Sequence, residues 1–135
     1  MPSSSTHAVR IASEAFAGWL GCELVESEDD RAVVKLPYGE HLGQGRIHGG
    51  AISALIDVAT TAAFWSSPLV SRESRGATVA ISINFLMLAV ATDLYATATV
   101  RRRGGTLCTG NVVVKDEDDR EIAIAVVTYK LQHGT

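Results

Sequence analysis

One segment limits the fold more than any other. From Gly49 to Ser66 the chain is rich in Ala, Ile and Leu, and Asp57 is its only charged residue. Its length and Ala/Leu content predict a helix rather than a strand. A helix that is apolar nearly all round must be buried in the core of a water-soluble chain, and Pro68 ends it. Something has to cover that helix. After Gly76 come four β-type segments: Thr78–Leu88, Leu94–Arg103, Leu107–Lys115 and Glu121–Leu131. Turn signals at Ala89–Asp93, Gly104-Gly105 and Lys115–Arg120 separate them. Consecutive strands joined by tight turns imply an antiparallel sheet, and the apolar helix is what such a sheet would cover.

Upstream, Ile11, Ala15 and Trp19 lie four apart within residues 8–20, a helical stripe that Gly21 stops. Cys22–Leu36 reads as a β-hairpin around the acidic turn Glu28-Asp29-Asp30, and Pro37–Arg46, with three glycines, reads as a loop. The Ser-rich residues 1–7 are expected to be frayed and disordered, leaving residues 8–135 as a single domain. The class is α+β. The order of helix, two strands, buried helix and four strands is that of the hotdog fold, an antiparallel sheet of about six strands wrapped around one central helix.

Composition removes several function classes. Twelve Lys and Arg against fifteen Asp and Glu give a net charge of −3, so there is no general basic field for nucleic acid or an anionic membrane. The longest uncharged run, Gly76–Thr92, contains Ser82 and Asn84 and is too short and too polar for a spanning helix. The N-terminus lacks the basic start and apolar run of a secretory signal, so a cytoplasmic location is the default expectation. Cys22 and Cys108 form neither a disulfide framework nor a zinc spacing, and no metal site is expected. Trp19, Phe64 and Trp65 are expected in the core or an interface, and the Lys115–Arg120 run reads as a solvated hairpin tip.

The densest chemical signal is Gly45-Arg46-Ile47-His48-Gly49-Gly50 directly before the helix that contains Asp57. Glycines at a helix start let a ligand approach the backbone closely. The first N–H groups of a helix lack intrahelical partners and form an anion site suited to an oxyanion. A carboxylate on an apolar helix is costly unless paired or useful. Its structural alternative is a buried carboxylate that accepts bonds from Thr60 or Thr61. The helical rise separates Gly49 from Asp57 by about 12 Å, so one chain cannot bring both to one carbonyl group. Two antiparallel copies of the helix about a two-fold axis can.

These residues resemble a known family. The run His48-Gly49-Gly50-Ala51-Ile52-Ser53-Ala54-Leu55-Ile56-Asp57 is similar to the "HGG, then Leu-x-Asp" signature of hotdog-fold acyl-CoA thioesterases of the phenylacetate-pathway (PaaI-like) branch. Thr78–Leu86 is similar to that branch's strand after the helix. The resemblance implies that the Gly49 N–H polarises the thioester carbonyl, that Asp57 acts as general base or nucleophile, that His48 shapes the loop, and that Gly50 and the positions of Leu42 and Gln44 contact substrate. It also implies acyl-CoA as substrate, no cofactor or metal, and a homodimer, often paired into a tetramer. The family's polar residue six before the His is here Leu42, with His41 and Gln44 as nearby stand-ins, and the Arg-Pro that continues the family's strand is here Met87-Leu88. Thr78 matches the family's helper Ser or Thr. Strict alternation, however, sets Thr78 with Ala80, Ser82 and Asn84, opposite Val79, Ile81 and Ile83, so it reaches Asp57 only if the strand starts irregularly.

Arg101, Arg102 and Arg103 precede Gly104-Gly105. The cluster is either a solvated strand end or a contact for the phosphates of coenzyme A, which Arg recognises well; Arg102, Arg103 and Gly105 are then substrate-binding. Two rival functions remain: a hotdog dehydratase or hydratase that pairs His48 with Asp57, and a non-catalytic acyl-CoA-binding protein, suggested by Leu42.

Overall fold

The computed structural model describes residues 2–133. Two short helices lead the chain, α1 (Pro2–Ser13) and α2 (Ala15–Leu20). A hairpin follows, β1 (Glu23–Glu28) with β2 (Arg31–Leu36), then the long helix α3 (Gly49–Phe64) and four strands: β3 (Arg75–Phe85), β4 (Leu94–Arg103), β5 (Leu107–Lys115) and β6 (Glu121–Gln132). The six strands form one fully antiparallel sheet in the order β1-β2-β4-β5-β6-β3, and α3 touches every strand of it. This is the hotdog architecture. No helix among the described residues is long and apolar enough to cross a membrane.

α3 is buried for the reason its sequence gives: Ile52, Leu55, Ile56, Ala59, Ala62, Ala63 and Phe64 all lose their water. Its one buried hydroxyl, on Thr60, is satisfied by donating to the Ile56 carbonyl at 2.8 Å. The helix comes close to the sheet where β5 carries Gly110. A Cβ at that position would lie 3.0 Å from the Phe64 ring and 3.1 Å from the Thr60 methyl. Inward residues alternate along β4 and β5 and along β6 from Ala123 onward, with Leu94, Ala96, Ala98, Val112, Val114, Val127 and Leu131 buried; at the start of β6 the adjacent Ile122 and Ala123 are both buried.

Several expectations are corrected here. The N-terminal helix runs from Pro2 and breaks at Glu14, so residues 8–20 form two helices rather than one. Ala15 sits at φ +53°, a left-handed value unusual for a residue with a Cβ. Trp19 is not in the core of the single chain but 66% exposed on its surface, stacked on Phe16 and edge-on to His41, which leaves the interface half of the expectation standing. β3 ends at Phe85, because the Leu86 and Met87 N–H groups both donate to the Ile122 carbonyl and the chain then leaves the sheet. In the acidic hairpin tip Asp116 is buried, accepting from the Asp118 and Arg120 N–H groups and from the Arg120 guanidinium. It organises the turn.

Candidate active site

The approach to α3 is a loop held open by backbone bonds. Leu42 is buried, and its carbonyl accepts the His48 N–H at 2.7 Å. Gly43 has φ +144°, and a Cβ there would fall 2.1 Å from the Arg46 carbonyl oxygen, so only glycine fits this turn. Ile47 donates to the Ala89 carbonyl at 2.9 Å and Ala91 to the Gly45 carbonyl at 2.8 Å, tying the loop to the segment after β3. The chain thus arrives extended at His48 (φ −62°, ψ 138°), whose ring Nδ1 accepts the Gly50 N–H at 2.9 Å. His48 is therefore the N-cap of α3. An accepting Nδ1 places the proton of the neutral ring on Nε2.

That cap has a chemical consequence. The Gly50 N–H is consumed by His48, whereas the Gly49 N–H has no acceptor among the described residues. It is the first N–H of the helix, with the positive end of the helix dipole behind it. A negative oxygen placed there would be stabilised.

Asp57 lies two turns further along α3 and is half-buried. Its Oδ1 accepts the Thr78 hydroxyl at 2.7 Å. Strict alternation would point that hydroxyl away, but the β3–β6 register shifts between Thr78 and Ala80. This bulge flips the start of β3 relative to the rest and turns Thr78 onto the helix. Thr60 does not partner Asp57, since its hydroxyl is spent on Ile56. A carboxylate oriented by one hydroxyl, with its other oxygen available, suits proton abstraction or nucleophilic attack.

Next to this pair lies a group that sequence patterns do not single out. Tyr129, opposite Thr78 in the β3–β6 ladder, stacks on Phe64 at 4.9 Å and accepts the Trp65 indole N–H at 2.9 Å. Burial raises its pKa; the indole hydrogen bond opposes the rise and the nearby Asp57 charge adds to it. A Cβ on Gly76 would lie 2.4 Å from the Tyr129 hydroxyl oxygen, so the glycine makes room for this contact. The four-residue spacing of Asp57, Thr61 and Trp65 on α3 was the available signal for this wall of the site.

Other expected site residues are placed differently. Gln44 is exposed in the loop, and His41 is turned away, with Nε2 2.8 Å from the Leu20 carbonyl oxygen. Leu42 gives its carbonyl to the His48 N–H and its side chain to the core. Arg103 is withdrawn from solvent: its Nε donates to Asp30 at 2.8 Å and its Nη2 to the Phe64 carbonyl at 2.9 Å. It caps the C-terminal end of α3, where a cation opposes the helix dipole. Arg101, Arg102 and Gly105 remain exposed. Within one chain Gly49 and Asp57 stay on separate turns of α3, about 12 Å apart along its axis.

Residues 44–123 match the model of the thioesterase superfamily. The chain belongs to the thioesterase superfamily. It is a hydrolase of that family with the hotdog fold. An esterase-named protein of Halobacterium salinarum is 27% identical over 132 residues, 90% of this chain and 87% of its own. The E. coli PaaI protein from the phenylacetic acid degradation operon superposes with a TM-score of 0.86 at 22% identity, covering 98% of this chain and 96% of that one. A thioesterase-named protein of Streptococcus pneumoniae, solved with coenzyme A, superposes with a TM-score of 0.79 at 21% identity over 92% of this chain and 95% of that one.

Proposed function

We propose that this thioesterase hydrolyses acyl-CoA thioesters, of aryl or medium-chain acids, to the free acid and CoA. The observation that carries the reading is the pair of half-sites on α3: an acceptor-free Gly49 N–H and an Asp57 carboxylate oriented by Thr78. The Gly49 N–H donates to the thioester oxygen as it gains charge. Asp57 then takes a proton from water as that water attacks the carbonyl carbon, the C–S bond breaks, and CoA leaves as a thiolate. In the nucleophilic variant Asp57 attacks first, CoA thiolate leaves, and water opens the mixed anhydride. A thiolate is a good enough leaving group that neither route needs a strong acid. The structural neighbour bound to coenzyme A supports CoA as the carrier, and the exposed Arg101 and Arg102 suit its phosphates.

The two halves come together in a homodimer, itself free to pair into a tetramer. β3 bonds only to β6, so its outer edge is unpaired, and Val79 and Phe85 along it are more than half exposed. Asp57 lies under Thr78 at one end of β3. Gly49 lies under Phe85 near the other, where a Cβ on Gly49 would be 3.6 Å from the Phe85 ring. Pairing β3 antiparallel with its own copy therefore carries Gly49 of the partner subunit towards Asp57, and gives two identical sites.

The test is release of free thiol from a panel of acyl-CoA esters, followed by subunit mixing. Gly49→Pro removes the N–H at a first-turn position where proline fits the helix, after a residue already extended as proline requires. Alone, Gly49→Pro and Asp57→Asn are each expected to be nearly inactive. After subunit exchange a one-to-one mixture should recover about a quarter of wild-type activity, because half the dimers are mixed and each has one intact site. Verified exchange without recovery would refute the shared site.

A further inference from the structure

α1, the C-terminal half of α3 and the turn before β3 line an open cavity of about 650 Å³, a size ordinary for a small-molecule site. Its inner wall is Thr61 and Tyr129, and both lead to the reacting centre. Thr61 lies one helical turn beyond Asp57, and Tyr129 pairs with Thr78, which holds Asp57. Its middle is apolar, with Ile11, Ala15 and the Trp65 ring, against which His7 packs at 5.5 Å. Its outer rim is charged. Arg72 is exposed and has no partner among the described residues, and Arg10 meets only Glu14, loosely, at 3.7 Å. The left-handed Ala15 is the kink at which α1 turns into α2, so an unusual backbone sets the rim over the cavity.

We propose that this cavity receives the acyl group of the substrate and selects acyl chains that end in a carboxylate, with Arg72 as the residue that reads it. The inference rests on the acyl-CoA reading above. An acyl chain with its carbonyl carbon at Asp57 passes Thr61 and reaches the level of Trp65 after about 12 Å along the α3 axis. Its body then lies against apolar walls and its far end at the two arginines. A hydrated phosphate of CoA fits this arrangement less well than an acyl chain, because Ile11, Ala15 and the rings of Trp65 and Tyr129 lie along the cavity beside the polar Thr61, Ser71 and His7. An unpartnered guanidinium beside such a channel favours a carboxylate, which it can bind through two parallel hydrogen bonds. Arg10 adds positive charge, and the nearby Glu14 carboxylate keeps it the lesser of the two readers.

The experiment compares octanedioyl-CoA with its terminal monoamide, two esters of equal length that differ in the charge at the far end. In the wild type the carboxylate ester should have a kcat/KM about tenfold higher, the scale of one charge-assisted hydrogen bond. Arg72→Gln should bring the ratio of the two esters close to one, and Arg72→Glu should invert it. A wild-type ratio near one overturns the proposal. So does an equal loss on both esters in Arg72→Gln, which would assign Arg72 to the CoA phosphates. If neither ester is hydrolysed, the hydrolytic reading fails separately, and calorimetric binding of the same two esters decides the cavity. Tighter binding of the carboxylate ester that Arg72→Gln abolishes supports the proposal, and equal binding overturns it.

Discussion

Replacing Asp57 with Asn separates a catalytic carboxylate from a structural one, because the two roles predict changes of very different size. The Thr78 hydroxyl donates to Asp57 Oδ1 at 2.7 Å, and the amide oxygen of Asn can accept the same bond in the same place. The structural loss is then the difference between a charged and a neutral acceptor, about 1 kcal/mol. For a chain of this length that corresponds to a fall in Tm of about 4 °C. The chemical loss is larger. An amide neither takes a proton at neutral pH nor forms an anhydride, and loss of a positioned base costs about 10²–10⁴-fold in rate. At 1.36 kcal/mol per decade that is about 2.7–5.4 kcal/mol of barrier, several times the stability change. The assay is thiol release at saturating acyl-CoA, run beside a thermal melt of the same preparation. Asp57→Asn should melt within a few degrees of wild type and turn over at under a hundredth of its rate. Retention of more than about a tenth of wild-type turnover, below the low end for a general base, would refute the assignment of Asp57.

Three further outcomes follow from particular contacts. Thr78→Val removes the hydroxyl that orients Asp57 while keeping the side-chain shape; kcat should fall about ten- to a hundredfold, the worth of a hydrogen bond to a charged group, with KM little changed in steady-state kinetics. Gly110→Ala drives a methyl against the Phe64 ring and the Thr60 methyl, and urea unfolding should show a loss of about 1–3 kcal/mol from overpacking. Asp116→Asn tests the β5–β6 turn: burial pushes the Asp116 pKa up, but hydrogen bonds from the Arg120 and Asp118 N–H groups and the Arg120 guanidinium outweigh it and leave the carboxyl below its ordinary value. A depressed carboxyl stabilises the fold above the ordinary carboxylate range and loses that contribution as pH falls through the folded value. Asp116→Asn should therefore melt lower than wild type at neutral pH, and the gap should close in acid.

The sequence by itself determined most of the elements and pointed to the candidate site. α3, its burial and its charged exception follow from composition and period within a single segment, which is local information. The ends of β4 and β5 stand where the turn residues put them, because glycines and charged turns act on their own neighbours. The Gly49 and Asp57 positions were legible for the same reason: one is a helix start, the other a carboxylate in an apolar run. Tertiary structure decided what depends on a second strand or helix. Thr78 faces Asp57 only because β3 bulges against β6, and nothing within the β3 segment encodes where its partner will force an extra residue. Arg103 looked like its two arginine neighbours until packing brought it to Asp30 and the end of α3. Asp116 looked like the other acids of its hairpin tip until the turn closed around it. The cavity lined by Thr61 and Tyr129 joins α1, α3, β6 and the turn before β3. Each contributes residues that look like ordinary surface or core in its own segment, since periodicity reports which face is buried and not what that face is buried against.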